Sequence, residues 1–386
     1  MRTMNAVELK ARASVKPDFV LLIVVAALTS LGVIMIFTAS APRLEAAGGS
    51  PSSQMVRQII YVVFGIVVMF VATAISDRTW QSLAPVVYVT ALLLLLAVLS
   101  PVGAIRQGAQ RWISLGFMDL QPSEVAKPAV VMALAVLLAP VTEATVRWLK
   151  IAKALAIAAV PAALVFVQPD LGTALVFGFV TVVMLFVAGT SVRQIVFLIV
   201  VGLIAVLAAL ELGVLHEYQV ARLTGFLNSD EHALSYNYNQ NQSQIAIGSG
   251  GLFGQGLFEG TQTNLAFVPS QSTDFIFTAI GEQLGFVGGA LVILLFGVMI
   301  WRILRVATQA RDRFAQLTAA GIAAMLAFHV FVNVGMTLGI LPVTGIPLPF
   351  ISYGGSFYMS MGLCVGVVNS IWMRRARVPG QRQRPD

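Results

Sequence analysis

The chain has few charged residues, one cysteine and three histidines. Charged residues make up only 11% of its 386 residues, whereas an ordinary soluble domain carries about 25%. Hydrophobic residues reach 58%, and the mean hydropathy is +0.87. A single globule cannot bury that much apolar surface, so the composition excludes an ordinary soluble protein and predicts a membrane protein.

The scarcity of thiol and imidazole side chains excludes further classes. Cys364 has no second cysteine to pair with, so no disulfide or thiolate metal site can form within the chain. His216, His232 and His329 show no metal-ligand spacing, and we expect His329 to be hydrogen-bonded within a helix bundle. The net charge of +7 indicates contact with anionic lipid at the cytoplasmic face rather than with nucleic acid.

Ten apolar runs are long enough, at about 20 residues, to cross a bilayer as helices. They cover 19–40, 58–75, 83–102, 125–141, 151–167, 171–188, 192–212, 275–304, 316–341 and 355–373. Helices fit better than barrel strands, which alternate in polarity over about ten residues. The predicted fold class is therefore an all-α polytopic membrane protein, with one domain over residues 1–386.

The distribution of Lys and Arg predicts the orientation. With both termini in the cytoplasm, most of the 24 Lys and Arg residues are inside, as the positive-inside rule requires. Those left outside are Arg43, Arg57, Arg106, Arg111 and Arg222. Residues 1–17 then form a cytoplasmic N-terminus, 213–274 an extracytoplasmic loop between the seventh and eighth helices, and 374–386 a basic cytoplasmic tail.

Ionisable residues inside or at the ends of spans are costly and therefore carry the functional signal. Glu124 and Lys127, three positions apart at the start of the fourth span, can pair on one helix face. The pair is either a structural ion pair or part of a polar cavity open to the outer side. Asp170 follows Pro169 between two spans, where a helix cap competes with a functional role.

Further polar features lie at the predicted outer end. Arg111 could bind a diphosphate through its bidentate guanidinium or contact lipid headgroups. Asp274 closes a polar stretch and opens an apolar run, so a helix N-cap competes with a reactive carboxylate. Residues 247–256 are glycine-rich without a nucleotide-binding spacing, which indicates close backbone packing. Residues 342–356, apolar but rich in helix breakers, must be buried in protein or line a cavity.

Six strings, in order along the chain, together resemble the signatures of the SEDS family of peptidoglycan glycosyltransferases. They are RWI (111–113), QPSEVAK (121–127), QPDLGT (168–173), IAIGSGG (245–251), TDFIF (273–277) and PLPFISYGGS (347–356). Within the family, GTQ at 260–262 is more similar to RodA, the elongation member, than to FtsW, the division member. The resemblance implies a ten-helix enzyme that polymerises lipid II outside the bacterial cytoplasmic membrane, for cell-wall elongation and cell shape.

The resemblance also implies partners and site residues. The partners are a class B penicillin-binding protein, which crosslinks the glycan, and other membrane proteins of the elongation complex. The family's essential aspartate falls on Asp274, which we predict to be the general base of an inverting transfer. The residues predicted to bind substrate are Arg111, Glu124, Lys127, Asp170 and, as a weaker candidate, Arg222.

The chain departs from the family's pattern beside the key aspartate. Where the family usually has Pro-Glu-x-His-Thr-Asp, this chain has Ser270 and Ser272 in place of the Glu and the His. No cofactor is required by the sequence; Arg111, Lys127 or a divalent cation such as Mg²⁺ or Mn²⁺ could stabilise a leaving diphosphate. The rival interpretations are a lipid II flippase and a scaffold that only holds the penicillin-binding protein.

Overall fold

The computed structural model describes residues 16–106, 109–116, 118–141, 145–213, 220 and 238–375. The predicted all-α class is confirmed in this part of the chain. In order, its elements are α1 (Phe19–Ala46), α2 (Ser53–Ala74), α3 (Asp77–Val98), β1 (Gly103–Arg106), β2 (Ala109–Ser114), β3 (Asp119–Leu120), α4 (Pro122–Leu138), α5 (Trp148–Val167), α6 (Leu171–Ala188), α7 (Val192–Glu211), α8 (Tyr238–Ser249), α9 (Thr261–Asn264), α10 (Ile276–Thr308), α11 (Arg313–Thr337) and α12 (Gly355–Met373).

Each of the ten predicted spans coincides with a helix. Among the described residues, nine helices are long and apolar enough to cross a membrane. The remaining predicted span, the fourth (125–141), corresponds to α4, which has 17 residues and is about 26 Å long at 1.5 Å per residue. α4 is buried on nearly every side, between α3, α5, α6 and α11. The chain is therefore a multi-pass membrane protein with α4 at the centre of its bundle.

Several predicted segments lie outside the described residues. These are residues 1–15 of the N-terminus, 376–386 of the tail, and most of the loop 213–274 up to α8. The orientation of the termini, the single-domain boundaries and the extent of that loop accordingly stay predictions.

A buried ion pair joins three helices at the predicted inner end. Asp18 caps α1 by accepting from the Leu21 amide at 3.2 Å, and its Oδ2 lies 2.7 Å from Arg302 Nη2 on α10. The Asp18 amide donates to Asn369 Oδ1 on α12 at 2.9 Å. Because the carboxylate is satisfied by both a guanidinium and a backbone amide, it can be buried at low cost. These bonds fix α1, α10 and α12 in register.

A small antiparallel sheet, in the order β1-β2-β3, fills the connection between α3 and α4. The search for long apolar runs did not predict this sheet, because its strands are short and lie in a polar linker. Ser356, in the first turn of α12, donates to the Asp119 carbonyl at 2.7 Å and accepts from the Gln121 amide at 3.0 Å. The sheet is thus attached to the end of the bundle where α4 and α12 begin.

The helix α10 is broken, although the sequence predicts one continuous span over 275–304. Gly285 has non-helical backbone angles, φ 66° and ψ −164°, which a residue with a Cβ rarely adopts. The amides of Phe286 and Val287 instead donate to the carbonyls of Gly251 and Leu252, at 2.9 and 3.1 Å. The glycine-rich loop therefore supplies the hydrogen bonds that the break removes from the helix.

The close backbone packing predicted for the glycine-rich run is confirmed, and its partner is this break in α10. The amides of Gln255 and Gly256 donate to the carbonyls of Glu282 and Gln283, at 3.0 and 3.1 Å. At Gly254 (φ +83°) an added Cβ would overlap the Gln283 carbonyl group. A glycine at position 254 is therefore required for the loop to approach the α10 backbone this closely.

We expect Gly254→Ala to destabilise the protein by roughly 3 kcal/mol, because it combines a strained φ with backbone overlap. The matched control is Gly248→Ala in α8, where an added Cβ meets nothing within 4 Å. The measurement is the thermal unfolding midpoint of both variants in the same detergent. Equal midpoints for the two variants would contradict the packing described here.

The segment 338–354 connects α11 to α12 without regular helix. The part predicted to lie within protein, 342–356, is buried or half-buried, whereas Leu338 and Ile340 before it are exposed. Leu348, Phe350 and Ile351 are each at most 2% exposed. Ser352 Oγ accepts from the Leu348 amide at 2.8 Å, which replaces a missing helical bond. Irregular backbone is tolerated at membrane depth only inside protein or along a cavity, so this segment is a natural place for a site.

Candidate functional site

A buried array of three ionisable side chains lies between α4 and α11. Lys127 Nζ is 2.9 Å from Glu124 Oε1 and 2.8 Å from Oε2, so the predicted pairing is confirmed. His329 Nε2 lies 3.3 Å from Lys127 Nζ, and His329 Nδ1 lies 3.2 Å from the Pro347 carbonyl oxygen. The predicted hydrogen bonding of His329 within the bundle is also confirmed. Glu124, Lys127 and His329 are hereafter the buried array.

The partners of His329 define its tautomer. A carbonyl oxygen can only accept, so Nδ1 must carry a proton and donate to Pro347. The Lys127 ammonium can only donate, so Nε2 must accept from it. The imidazole is therefore neutral here, and it holds the ammonium between itself and the Glu124 carboxylate.

Asp170 caps α6, as one of its two interpretations predicts. Its Oδ1 accepts from the Thr173 amide at 3.1 Å, and its Oδ2 accepts from the Thr173 hydroxyl at 2.9 Å. Asp170 also lies within electrostatic range of Glu124. A role for Asp170 at the substrate stays a prediction.

Arg111 connects the small sheet to the turn that precedes α6. Its Nε donates to the Gln168 carbonyl at 2.6 Å, and its Nη2 donates to the Pro169 carbonyl. The guanidinium is thereby held beside the start of α6. The predicted contact with a diphosphate is not tested by this geometry.

Asp274 lies in a turn before α10 rather than at its cap. Phe275 occupies the N-cap position, and no side-chain cap bond is made there, so the N-cap interpretation of Asp274 is wrong. The Asp274 amide donates to the Ser270 carbonyl at 3.1 Å. Asn333 Nδ2 donates to the Asp274 carbonyl at 2.8 Å and to the Ile346 carbonyl at 2.7 Å. The backbone of the proposed base is thus tied to α11.

The turn before α10 is also fixed to the irregular segment 338–354. Ser352 Oγ donates to the Thr273 carbonyl at 2.5 Å, and the Tyr353 amide donates to the Ser272 carbonyl at 2.9 Å. Burial, with Tyr61 nearby, raises the pKa of the Tyr353 phenol to about 12. Tyr353 therefore stays protonated near neutral pH.

The segment 338–354 brings the predicted residues together. An added Cβ at Gly345 would lie 3.5 Å from Asp274 Oδ2. At Gly172, which follows the Asp170 cap, an added Cβ would lie 2.8 Å from Ile346 Cγ1. The turn of Asp274, the start of α6 and the buried array all contact this one segment. Arg222 lies outside the described residues.

Asn333 and His329 are site residues that the sequence alone did not assign to the site. Both are fully buried, and they are four positions apart on α11, so they share one helix face. His329 holds the segment at Pro347 and Asn333 holds it at Ile346. Two polar residues at helical spacing within an apolar span were the signal that could have identified them.

No metal centre is built by the residues that the structure describes. Within those ranges there is no group of three or more His, Cys, Asp or Glu side chains placed to hold a metal ion. Mg²⁺ is often held by one or two carboxylates together with substrate phosphates. A divalent cation that arrives with a diphosphate substrate therefore stays a prediction.

The fold and the buried polar site define a polytopic membrane protein with an intramembrane charge array. Its residues 19–377 match the FtsW/RodA/SpoVE family of cell cycle proteins. The chain belongs to this family, which is the SEDS family indicated by its sequence motifs.

Curated relatives match nearly the whole chain. Stage V sporulation protein E of Bacillus subtilis is 37% identical over 357 residues, covering 92% of this chain and 96% of the relative. Peptidoglycan glycosyltransferase MrdB of Escherichia coli is 38% identical over 342 residues, covering 87% and 90%. Because these identities are similar, they do not decide which branch of the family the chain belongs to, and the closer likeness to RodA stays a prediction.

The fold also matches a solved structure. A chain of a peptidoglycan synthase complex, in which polymerization and crosslinking are coordinated, superposes with a TM-score of 0.76 at 30% identity. The match covers 92% of this chain and 97% of that chain.

Proposed function

We propose that this chain is a peptidoglycan glycosyltransferase that polymerises lipid II into β-1,4-linked glycan. The observation that carries the proposal is the fixed position of the turn that contains Asp274. Asn333 donates both to the Asp274 carbonyl and to the Ile346 carbonyl of the segment 338–354. The same segment contacts the buried array through Pro347. A carboxylate and a buried cation that are held by one segment provide a base and an electrostatic environment for the same site. The relatives' names support the same activity.

The proposed reaction is a single inverting displacement. The acceptor sugar hydroxyl attacks the anomeric carbon of a second lipid-linked sugar, and the bond from that carbon to the diphosphate oxygen breaks. The hydroxyl proton passes to the Asp274 carboxylate, and the diphosphate leaves with the bonding electrons. An α-linked donor gives a β-linked product in one step, so no covalent enzyme intermediate is needed.

The remaining residues have positioning and electrostatic roles in this proposal. Lys127 and Arg111 favour the negative charge that develops on the leaving diphosphate. Glu124 pairs with the Lys127 ammonium and compensates its charge in a buried place. Asp170 fixes the start of α6 against the segment that faces Asp274. Arg222 is a further candidate for binding the diphosphate.

The likeness to a synthase complex supports a crosslinking partner. We infer that a class B penicillin-binding protein binds this chain, with further membrane proteins of the elongation complex, and crosslinks the glycan as it forms. The site then faces the extracytoplasmic side of the bacterial inner membrane, in line with the distribution of Lys and Arg.

The decisive experiment supplies labelled lipid II to the purified protein in vesicles, with and without the penicillin-binding protein. We expect labelled glycan that a muramidase degrades. Labelled lipid II that changes leaflet without forming polymer would instead establish the flippase. If neither polymer nor lipid movement is detected while the penicillin-binding protein still binds, the scaffold is the remaining interpretation.

A further inference from the structure

A cleft of about 530 Å³ lies between the C-terminal part of α1 and the turns of residues 266–272. It is separate from the buried array, which lies between α4 and α11. Its polar lining comprises Ser40, Arg43, Gln54, Ser270, Gln271 and Ser272. No carboxylate is among the lining residues that the structure describes, so the cleft carries one positive charge and several neutral hydrogen-bonding groups.

The predicted orientation places the cleft beyond the hydrocarbon core. α1 has 28 residues, which is about 42 Å of helix, whereas the core of a bilayer is about 30 Å thick. Because Asp18 fixes the first turn of α1 at the opposite end, the extra length projects at the end where Arg43 lies. A polar headgroup at the membrane surface can therefore reach this cleft.

Two groups in the cleft are suited to a sugar phosphate. Within the described part of the chain, no carboxylate pairs with the exposed Arg43 guanidinium, which is free to bind phosphate oxygens. The buried Gln54 Oε1 has no hydrogen-bond donor among the described residues. A buried acceptor without a donor is costly, and rotation of the Gln54 side chain toward the cleft that it lines would let a sugar hydroxyl or N-acetyl amide supply one.

The cleft is next to Asp274. The Ser270 carbonyl accepts from the amides of Thr273 and Asp274, both at 3.1 Å, so the cleft wall and the proposed base belong to one turn. On its other side Asp274 faces Gly345 of the segment that contacts the buried array. Asp274 is therefore connected through its own turn to the cleft that Arg43 lines, and through Gly345 to the segment that contacts the buried array.

We propose that this cleft binds the acceptor, a second lipid-linked sugar diphosphate, with its phosphates at Arg43 and its sugar at Gln54. The inference deepens the proposed function and rests on it. A polymerase has to hold two anionic substrates at once, and the acceptor is the one that gives its proton to Asp274. With small side chains at Ser270 and Ser272, the cleft has room for a sugar ring beside the base.

The test compares Arg43→Gln with Arg106→Gln, another predicted outer arginine, which is ion-paired to Asp119 away from the cleft. Initial rates of glycan formation are measured against lipid II concentration in vesicles, and lipid II binding is measured separately. We expect Arg43→Gln to raise the KM and the Kd for lipid II about tenfold, as loss of one charge-assisted contact would, with little change in kcat. Inorganic diphosphate should inhibit the wild type more strongly than Arg43→Gln.

The outcomes separate the two proposals. Equal behaviour of the two variants in binding and in rate would overturn the acceptor cleft even if the wild type is an active polymerase. Arg43-dependent lipid II binding without any glycan would overturn the polymerase and with it the acceptor role, and would leave the cleft as a lipid II binding site only. If replacing phosphatidylglycerol by phosphatidylcholine removes the difference between Arg43→Gln and wild type, Arg43 binds a phospholipid headgroup and the inference is wrong.

Discussion

The Asp274→Asn protein should reach the membrane in wild-type amounts and form no detectable glycan from lipid II. The change keeps the shape of the side chain but removes its ability to take up the acceptor proton. Loss of a general base slows such a transfer by roughly 10²–10⁴-fold. The fold should survive, because Asn333 and Ser352 hold this turn through main-chain carbonyls, which the substitution leaves in place.

A matched carboxylate serves as the control for that result. Asp119 lies on the small sheet and pairs with Arg106 at 3.4 Å, with about a third of its side chain exposed. We expect Asp119→Asn to polymerise lipid II at the wild-type rate. The two variants are compared by glycan yield after normalising to folded protein. If Asp274→Asn kept more than about a tenth of wild-type activity, a general base would not be the role of Asp274.

The helical spans were predictable because hydropathy is a property of each residue alone. The break in α10 was not, since Gly285 lies within an apolar run and changes its hydropathy little. What breaks the helix is the glycine-rich loop around Gly254, about thirty residues earlier, which replaces the helical hydrogen bonds. Such a pairing depends on how two distant segments meet, and a local pattern does not contain it.

The site was predictable in part for the same reason. Glu124 and Lys127 are three positions apart, so a helix alone brings them together. His329 belongs to the same array but lies about two hundred residues further along the chain, and only the packing of α11 against α4 brings it there. The N-cap prediction for Asp274 was wrong because α10 begins one residue later than a cap at Asp274 requires.

The second large effect concerns the buried pair of Glu124 and Lys127, each 2% exposed. Lys127→Met leaves a carboxylate without its counter-ion, and Glu124→Gln leaves an ammonium without its counter-ion. Removing one partner of a buried pair costs roughly 3–5 kcal/mol, whereas replacing both is often neutral. We therefore expect each single variant to unfold at a clearly lower temperature, and the double variant Glu124→Gln/Lys127→Met to unfold near the wild-type temperature.

Activity of the double variant separates the two interpretations of this pair. A structural ion pair predicts that polymerisation returns together with stability. A cavity that stabilises the leaving diphosphate predicts a stable protein whose kcat is at least about tenfold lower, since a cation aimed at developing charge acts mainly on the transition state. We expect the second result, because the ammonium lies in one array with His329, whose partner Pro347 belongs to the segment that faces Asp274. Thermal unfolding and lipid II polymerisation, measured on the same four proteins, decide between them.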